Sequence, residues 1–260
     1  MNPKGTRAGT YLIRPSRTIR ELAACVGLQK EIWGYPDLEV YPLRLFVNLT
    51  KIGGQVLGAF TPKGEAVGFV AAMPAWRGRL RYWHSLSLGI RRGHENQGLG
   101  RALKLEQRRG ALAAGVGLIE WSFDPMRAKN AFFNIERLGA ICRRYYADYY
   151  GPVASRLQQG LPSDRLIAEW WIRSRRVTQA LAGKPSRRAA EPDRAQVAIP
   201  LDFERLAQGE PERARAMQGE VRRKLTALFR RKMVIISFVR QKREGHYQLR
   251  RMKNSKGLSF

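Results

Sequence analysis

The chain has 260 residues, 44% of them hydrophobic and 10% aromatic, which suffices for one sizeable core or two modest ones and excludes a wholly disordered chain. Its 48 Lys and Arg against 21 Asp and Glu give a formal charge of +27, which predicts an anionic partner without specifying a fold. Two cysteines, Cys25 and Cys142, cannot make a disulfide framework. The polar opening MNPKGTR leads into no apolar stretch of signal or membrane-spanning length, so a cytoplasmic protein with no membrane association is expected.

Residues 11–13 read as a strand, and Pro15-Ser16 then opens a helix capped by Ser16, with Ile19, Leu22, Val26 and Trp33 at roughly helical spacing. Pro42 starts a second helix through Leu45, Phe46 and Leu49, which Gly53-Gly54 ends. Three closely connected strands follow at 55–60, 65–76 and 80–90, the pattern of an antiparallel meander. From Gly98 the apolar period becomes helical through Leu99, Ala102, Leu103, Leu112 and Ala113. Val116 to Phe123 then reads as a buried strand, and Ala128 to Leu138 as a helix ended by Gly139. Strands at 140–150 and 164–173 complete a mixed α/β domain over residues 1–182. Residues 183–195 read as a linker or surface connection. Residues 196–260 read as a basic C-terminal α+β extension packed on that domain, with a helix at about 210–231 and strands at 233–239 and 246–251. From 173 to 260 there are 23 Lys/Arg against 8 Asp/Glu, net +15.

The most informative stretch is Leu88-Gly-Ile-Arg-Arg-Gly-His-Glu-Asn-Gln-Gly-Leu-Gly-Arg-Ala-Leu-Lys104, a strand leading through a charged turn into a glycine-rich helix start. Such a start offers amides with no intrahelical acceptor and the positive end of the helix dipole, so it suits a phosphate group. Arg91, Arg92, Arg101 and Lys104 would add charge around it. It is not a P-loop, because Leu99-Gly100 stands where Lys-Ser/Thr is required, and the third glycine of a dinucleotide fingerprint is Leu103. No paired His/Cys spacing or Gly-x-Ser-x-Gly occurs, so neither a catalytic metal nor a simple serine hydrolase is expected. Cys25 and Cys142 read as small core residues.

Glu95-Asn-Gln-Gly98-Leu-Gly100 resembles the phosphate-binding motif Gln/Arg-x-x-Gly-x-Gly/Ala of the GNAT acyl-CoA N-acyltransferase superfamily, with Glu95 in place of the usual Gln or Arg. Asn130-Ala-Phe-Phe-Asn134-Ile-Glu-Arg-Leu-Gly139 resembles the family's Asn-containing helix, with Ile135 where many members carry a tyrosine. Together with Leu103-Lys104, Gln107-Arg108, Trp121 to Pro125, Tyr149-Tyr150-Gly151 and Ser163-Asp-Arg165, these segments look like a less characterised branch of the superfamily, over residues 10–175. Some members of that branch are associated with N-succinylamino-acid metabolism.

The resemblance implies a mostly antiparallel twisted sheet flanked by helices and an acetyl-CoA or other acyl-CoA co-substrate without metal. It implies transfer of an acetyl or succinyl group to a small amine such as an amino acid, by direct attack. The CoA contacts it implies fall on Leu88, Ile90, Glu95, Asn96, Gln97, Gly98, Leu99, Gly100, Arg101, Asn130 and Asn134. His84 is the candidate base, since histidine titrates near neutrality. Asp124, at the carboxyl end of a strand, is the candidate ammonium-binding group. Tyr146, among Tyr145, Tyr149 and Tyr150, stands in for the missing tyrosine. The competing readings are a nucleic-acid-associated protein, from the basic tail, and a CoA-binding GNAT fold without catalysis, from Glu95 and Ile135. The oligomeric state stays open, a dimer included.

Overall fold

The computed structural model describes residues 5–152, 160–184 and 194–251. The chain forms two compact units, and it passes from one to the other between Glu120 and Trp121, inside a single strand.

In the first unit the strands β1 (Thr6–Ala8), β2 (Tyr11–Pro15), β3 (Gln55–Phe60), β4 (Ala66–Arg77) and β5 (Leu80–Ile90) follow one another antiparallel in sequence order. The start of β6 (Leu118–Phe123) is added parallel to β5. Period-2 alternation divides β3 and β4 between two faces. Val56, Phe69 and Ala71 pack with Leu22, Cys25 and Leu28 of α1 (Ile19–Trp33) and with Phe46 and Leu49 of α2 (Leu43–Lys51). Leu57, Ala59 and Val70 pack with Leu99 and Leu103 of α3 (Leu99–Ala113). The meander, the second helix and the Gly98 helix start thus lie where the sequence puts them.

The cap of α1 is Thr18, not Ser16. Glu21 explains the difference, because a capping box needs a carboxylate three residues after the cap. Thr18 Oγ1 accepts from the Glu21 amide at 3.2 Å, and Glu21 Oε2 accepts from the Thr18 amide at 3.3 Å. The residue three after Ser16 is Ile19, and Ser16 is instead buried, with its amide donating to Val56 O at 3.0 Å. Its hydroxyl lies 3.8 Å from Cys25 Sγ, and burial pushes the Cys25 thiol up to about 11. Cys25 is a core residue.

In the second unit, after Trp121–Phe123, α4 (Ala128–Phe132) widens into a π turn over Phe133–Arg137, where a single α-helix to 138 is expected from sequence. Leu138 N donates to Phe133 O at 3.0 Å and Ala140 N to Asn134 O at 2.9 Å. Gly139 closes the segment at φ 77°, close against Val177 and Ala180, so only glycine suits it. Strands β7 (Ile141–Tyr146) and β8 (Arg165–Trp171) pair antiparallel. The chain then gives α5 (Arg175–Leu181), β9 (Arg194–Pro200), α6 (Phe203–Gly209), α7 (Pro211–Arg230), β10 (Met233–Gln241) and β11 (Glu244–Arg251). The strand order is β8-β7-β10-β11-β9, joined at Ile235↔Cys142, so the C-terminal strands continue the sheet that β7 begins. Most of the stretch read as a linker, residues 185–193, lies outside the described residues. Among the described residues no helix is long and apolar enough to cross a membrane.

A buried charge fastens this unit. Asp164 is fully buried and accepts from Arg222 Nε at 2.8 Å and Nη2 at 2.6 Å, from Tyr145 Oη at 2.5 Å and from the Asp148 amide at 2.9 Å. Removing the guanidinium strands a carboxylate away from water. Arg222→Ala is therefore expected to lower unfolding stability by about 3 kcal/mol in urea titrations. A loss comparable to that of a surface pair, under about 1 kcal/mol, would show that water replaces the arginine.

Candidate functional site

The site begins in β5. It pairs with β4 along its whole length, but between Ala72↔Ser85 and Ala71↔Ser87 the residue Leu86 is extra, a β-bulge. The parallel ladder to β6 registers Trp83↔Ile119 and His84↔Glu120, immediately before the bulge. From Ser85 to Ile90, among the described residues, the ladder holding β5 is the one to β4. The other edge presents main-chain donors and acceptors at the height of Leu88 and Ile90, where an extended amide-bearing ligand can pair as a further strand would.

Beyond Ile90 the chain reverses through left-handed conformations at Gly93 (φ 89°), Asn96 (φ 60°) and Gly98 (φ 78°). Tyr11 of β2 ties this loop down. Its hydroxyl donates to Gln97 Oε1 at 3.1 Å and meets His94 Nδ1 at 2.8 Å, contacts that are compatible when His94 carries its proton on Nδ1. Gly98 caps α3 without a side chain, and the first intrahelical bond runs from Ala102 N to Gly98 O at 3.0 Å. The amides of Leu99 and Gly100 precede that bond, so they have no intrahelical acceptor and lie at the positive end of the dipole. A side chain at Gly98 would meet nothing within 4 Å, and one at Gly100 would meet only Leu88 Cδ2, at 3.7 Å. The first turn holds no acidic residue, and Glu95, Asn96 and Gln97 are exposed. A phosphate group can thus reach the main chain.

Two of the four cations expected around that phosphate point elsewhere. Arg91 is paired with Glu31 at 2.8 Å and with Glu65, and these carboxylates raise its pKa further. Lys104, only 3% exposed, donates to Ser85 Oγ at 3.1 Å and to Gln107 Oε1 at 3.0 Å. Its burial holds its pKa well below the ordinary lysine value. Arg92 is exposed and Arg101 half-buried. The sequence cannot separate these four, because a lysine at the sixth residue of a helix faces either solvent or sheet according to a phase that only packing fixes.

His84 stands opposite Met73, which packs with the α1–α2 core, so the imidazole lies on that face of the sheet. Glu120, in register with His84, shares the face and receives a two-pronged contact from Arg77 at 2.9 and 2.9 Å. The sequence reading missed this pair, although a glutamate inside the apolar run Leu-Ile-Glu-Trp-Ser-Phe is a visible signal for it.

The other candidates belong to the second unit. Asp124 Oδ1 accepts from the Met126 amide at 2.8 Å, and its second oxygen lies 3.5 Å from Arg127. Burial raises its pKa, against that amide and the charges of Arg165 and Arg127. Asp124 thus shapes the turn into α4. Asn130 is exposed, whereas Asn134 and Ile135 are buried. Among the tyrosines, Tyr145 is the one the structure commits elsewhere, because burial and the bond to Asp164 raise its pKa. Tyr146 is exposed and packs on Tyr149 at 5.3 Å, and Tyr150 bonds Ser122 at 2.8 Å.

No family model and no curated protein matches the sequence. Among solved structures, the NatC complex bound to Gag peptide and CoA aligns with a TM-score of 0.50 at 14% identity, over 61% of this chain and 96% of that one. The ribosomal-protein-S18-alanine N-acetyltransferase from Escherichia coli gives 0.49 at 16%, over 62% and 94%. A GNAT-family acetyltransferase from Streptococcus pneumoniae gives 0.49 at 18%, over 61% and 98%. At these identities the likeness is one of fold, and the fold is the GNAT fold: mixed α/β, mostly antiparallel, with helices on both faces of the first unit's sheet.

The buried lysine generates a pH prediction. Lys104 is neutral in the folded chain well below the pH at which it loses its proton when unfolded. The unfolded state therefore binds more protons through this interval, and stability rises with pH there. Lys104→Met should remove that rise, so the wild-type-minus-variant stability difference, followed by denaturant unfolding, should move in the wild type's favour from pH 7 to pH 10. A pH-independent difference would mean that the ammonium stays charged in the core.

Proposed function

We propose that this chain is an acyl-CoA-dependent N-acyltransferase that moves an acetyl or succinyl group to the amine of a small molecule such as an amino acid. The observation that carries the reading is the open start of α3 directly after a strand whose second edge is held, among the described residues, for only two residues. Those residues fit acyl-CoA. The Leu99 and Gly100 amides take the pyrophosphate charge, Arg92 and Arg101 add to it, and the Leu88–Ile90 edge pairs with the pantetheine amides. The acyl-CoA supplies an already activated carbonyl, so no covalent enzyme intermediate is needed. The new C–N bond forms as the C–S bond breaks, and the sulfur leaves with the bond's electron pair.

The chain's own tasks are to hold the amine beside the carbonyl and to take its proton. His84 is the base in this reading, on the face covered by α1 and α2 and next to the Arg77–Glu120 pair that anchors the strand edge. Asn130 and Asn134 keep the cofactor roles that the resemblance assigns them, and Asp124 and Tyr146 stay as candidates for the ammonium and the leaving sulfur. The small-molecule acceptor rests on the sequence resemblance, and a peptide α-amine is the other outcome of the same assay.

Acetyl-CoA or succinyl-CoA should raise the melting temperature by mass action. Either should release free thiol when the matching amine is added. Gly100→Val is the cleaner cofactor variant, because Gly98 at φ 78° would also strain its backbone. It should abolish the CoA-induced shift while the free chain melts as before. His84→Ala should lower kcat roughly 100-fold with CoA affinity nearly unchanged. A melting shift without thiol release for any amine would leave a CoA-binding fold without catalysis, and no shift at millimolar CoA would remove the reading altogether.

A further inference from the structure

Three polar side chains meet where β5 parts from β6, and the acyltransferase reading gives none of them a task. Ser85 Oγ accepts from Lys104 Nζ at 3.1 Å and from Gln107 Nε2 at 3.2 Å, and Lys104 Nζ also donates to Gln107 Oε1 at 3.0 Å. Ser85 is 4% exposed, and Lys104 and Gln107 are buried with it. Lys104 and Gln107 lie three residues apart on α3, so one face of the helix brings both to the sheet. Burying polar side chains here is less favourable than packing apolar ones of the same shape, yet two donors converge on one hydroxyl.

Ser85 follows the last parallel pair, His84↔Glu120, and precedes the extra residue Leu86. Leu86, Ser87 and Leu88 are half-buried, so a ligand lying along this edge approaches Ser85 from their side. CoA with its phosphates at the start of α3 and its amides along Ile90 and Leu88 runs back toward that point. Two methylenes separate its inner amide from its sulfur, about one residue's rise along a strand. The sulfur therefore comes beside Leu86, within reach of the Ser85 hydroxyl. Successive residues of a strand face opposite sides, so His84 stands on the α1–α2 side of the thioester and Ser85 on the α3 side.

We propose that the Ser85 hydroxyl, oriented by Lys104 and Gln107, donates a hydrogen bond to the CoA sulfur as the thioester breaks. The proposal rests on the acyl-CoA reading of the site. An oxygen that accepts from two donors directs its own hydrogen away from both, and those bonds polarise the hydroxyl into a better donor. As the C–N bond forms and the C–S bond breaks, the electron pair passes to sulfur, and the thiolate meets a preorganised donor shielded from water. The sulfur takes a proton from solvent when CoA leaves. Ser85 stays a hydroxyl throughout and carries no acyl group.

The test uses the full chain and CoA itself, and it needs no acceptor amine. Calorimetric titration gives the affinity. The ultraviolet absorbance of the thiolate, taken as the difference from the complex with desulfo-CoA, gives the acidity of the bound thiol as pH is raised. A hydrogen bond to the charged form favours that form, so the thiol should be roughly tenfold more acidic bound than free. Ser85→Ala should abolish this difference with CoA affinity nearly unchanged, measured below a melting temperature that the lost acceptor lowers. Lys104, His84 and the Arg77–Glu120 pair also influence charge at this point, and Ser85→Ala leaves them in place. The proposal is overturned if bound CoA keeps its free acidity, or if Ser85→Ala binds CoA with a thiol as acidic as in the wild type. It is also overturned if folded Ser85→Ala no longer binds CoA, because the serine would then only hold the strand. A wild type that binds no CoA would instead remove the acyl-CoA reading, and this proposal with it.

Discussion

Among the described residues, one strand, β5, is held along its whole length on one edge and at only two positions on the other. The bulge at Leu86 sits beside the last of those positions, so the extra residue and the end of the parallel ladder fall together. A bulge bends the strand that carries it and raises its twist, which draws β5 out of register with a parallel neighbour. Everything proposed for function follows from that parting. It leaves main-chain groups available near Leu88 and Ile90, it ends the strand in the loop that Tyr11 ties down, and it delivers the chain to an α3 start that has no side-chain cap.

The charge of +27 shows how little a total says about a site. Arg91 is neutralised by two glutamates, Lys104 lies under the sheet, and Arg77 and Arg222 are clamped to buried carboxylates. In the second unit Glu169 takes Arg143 at 3.1 Å and Arg144 at 3.5 Å. At the start of α3 the groups offered to an anion are oriented amides, with no side-chain entropy to lose.

Much of the fold is legible in the sequence because strong local signals coincide there. Pro42 at the entry of α2, the alternating runs of β3 to β5 and Gly98 before α3 each fix an element with its boundary. The cap of α1 is legible too, but only if Glu21 is weighed along with the hydroxyls, since Thr18 and Ser16 look alike without it. The π turn at Phe133–Arg137 is not legible, because Asn-Ile-Glu-Arg carries no helix-breaking residue and the extra residue is accommodated by packing around Gly139. Strand β9 and helices α5 and α6 are short, so periodicity has too few residues to act on. The glycine motif of the candidate site could be read directly. The fate of Lys104 could not, since it depends on which face of α3 meets the sheet, and the apolar run around Glu120 signals a buried carboxylate without singling out Arg77 as its partner.

The central claim is that the open start of α3 receives the phosphates of CoA. The most direct measurement is the backbone amide resonances of the isotope-labelled chain during a CoA titration. The account predicts that the Gly98, Leu99 and Gly100 amides move downfield and saturate together with the residues of the β5 edge, Leu88 and Ile90. Saturable CoA binding that leaves the Leu99 and Gly100 amides in place would contradict it.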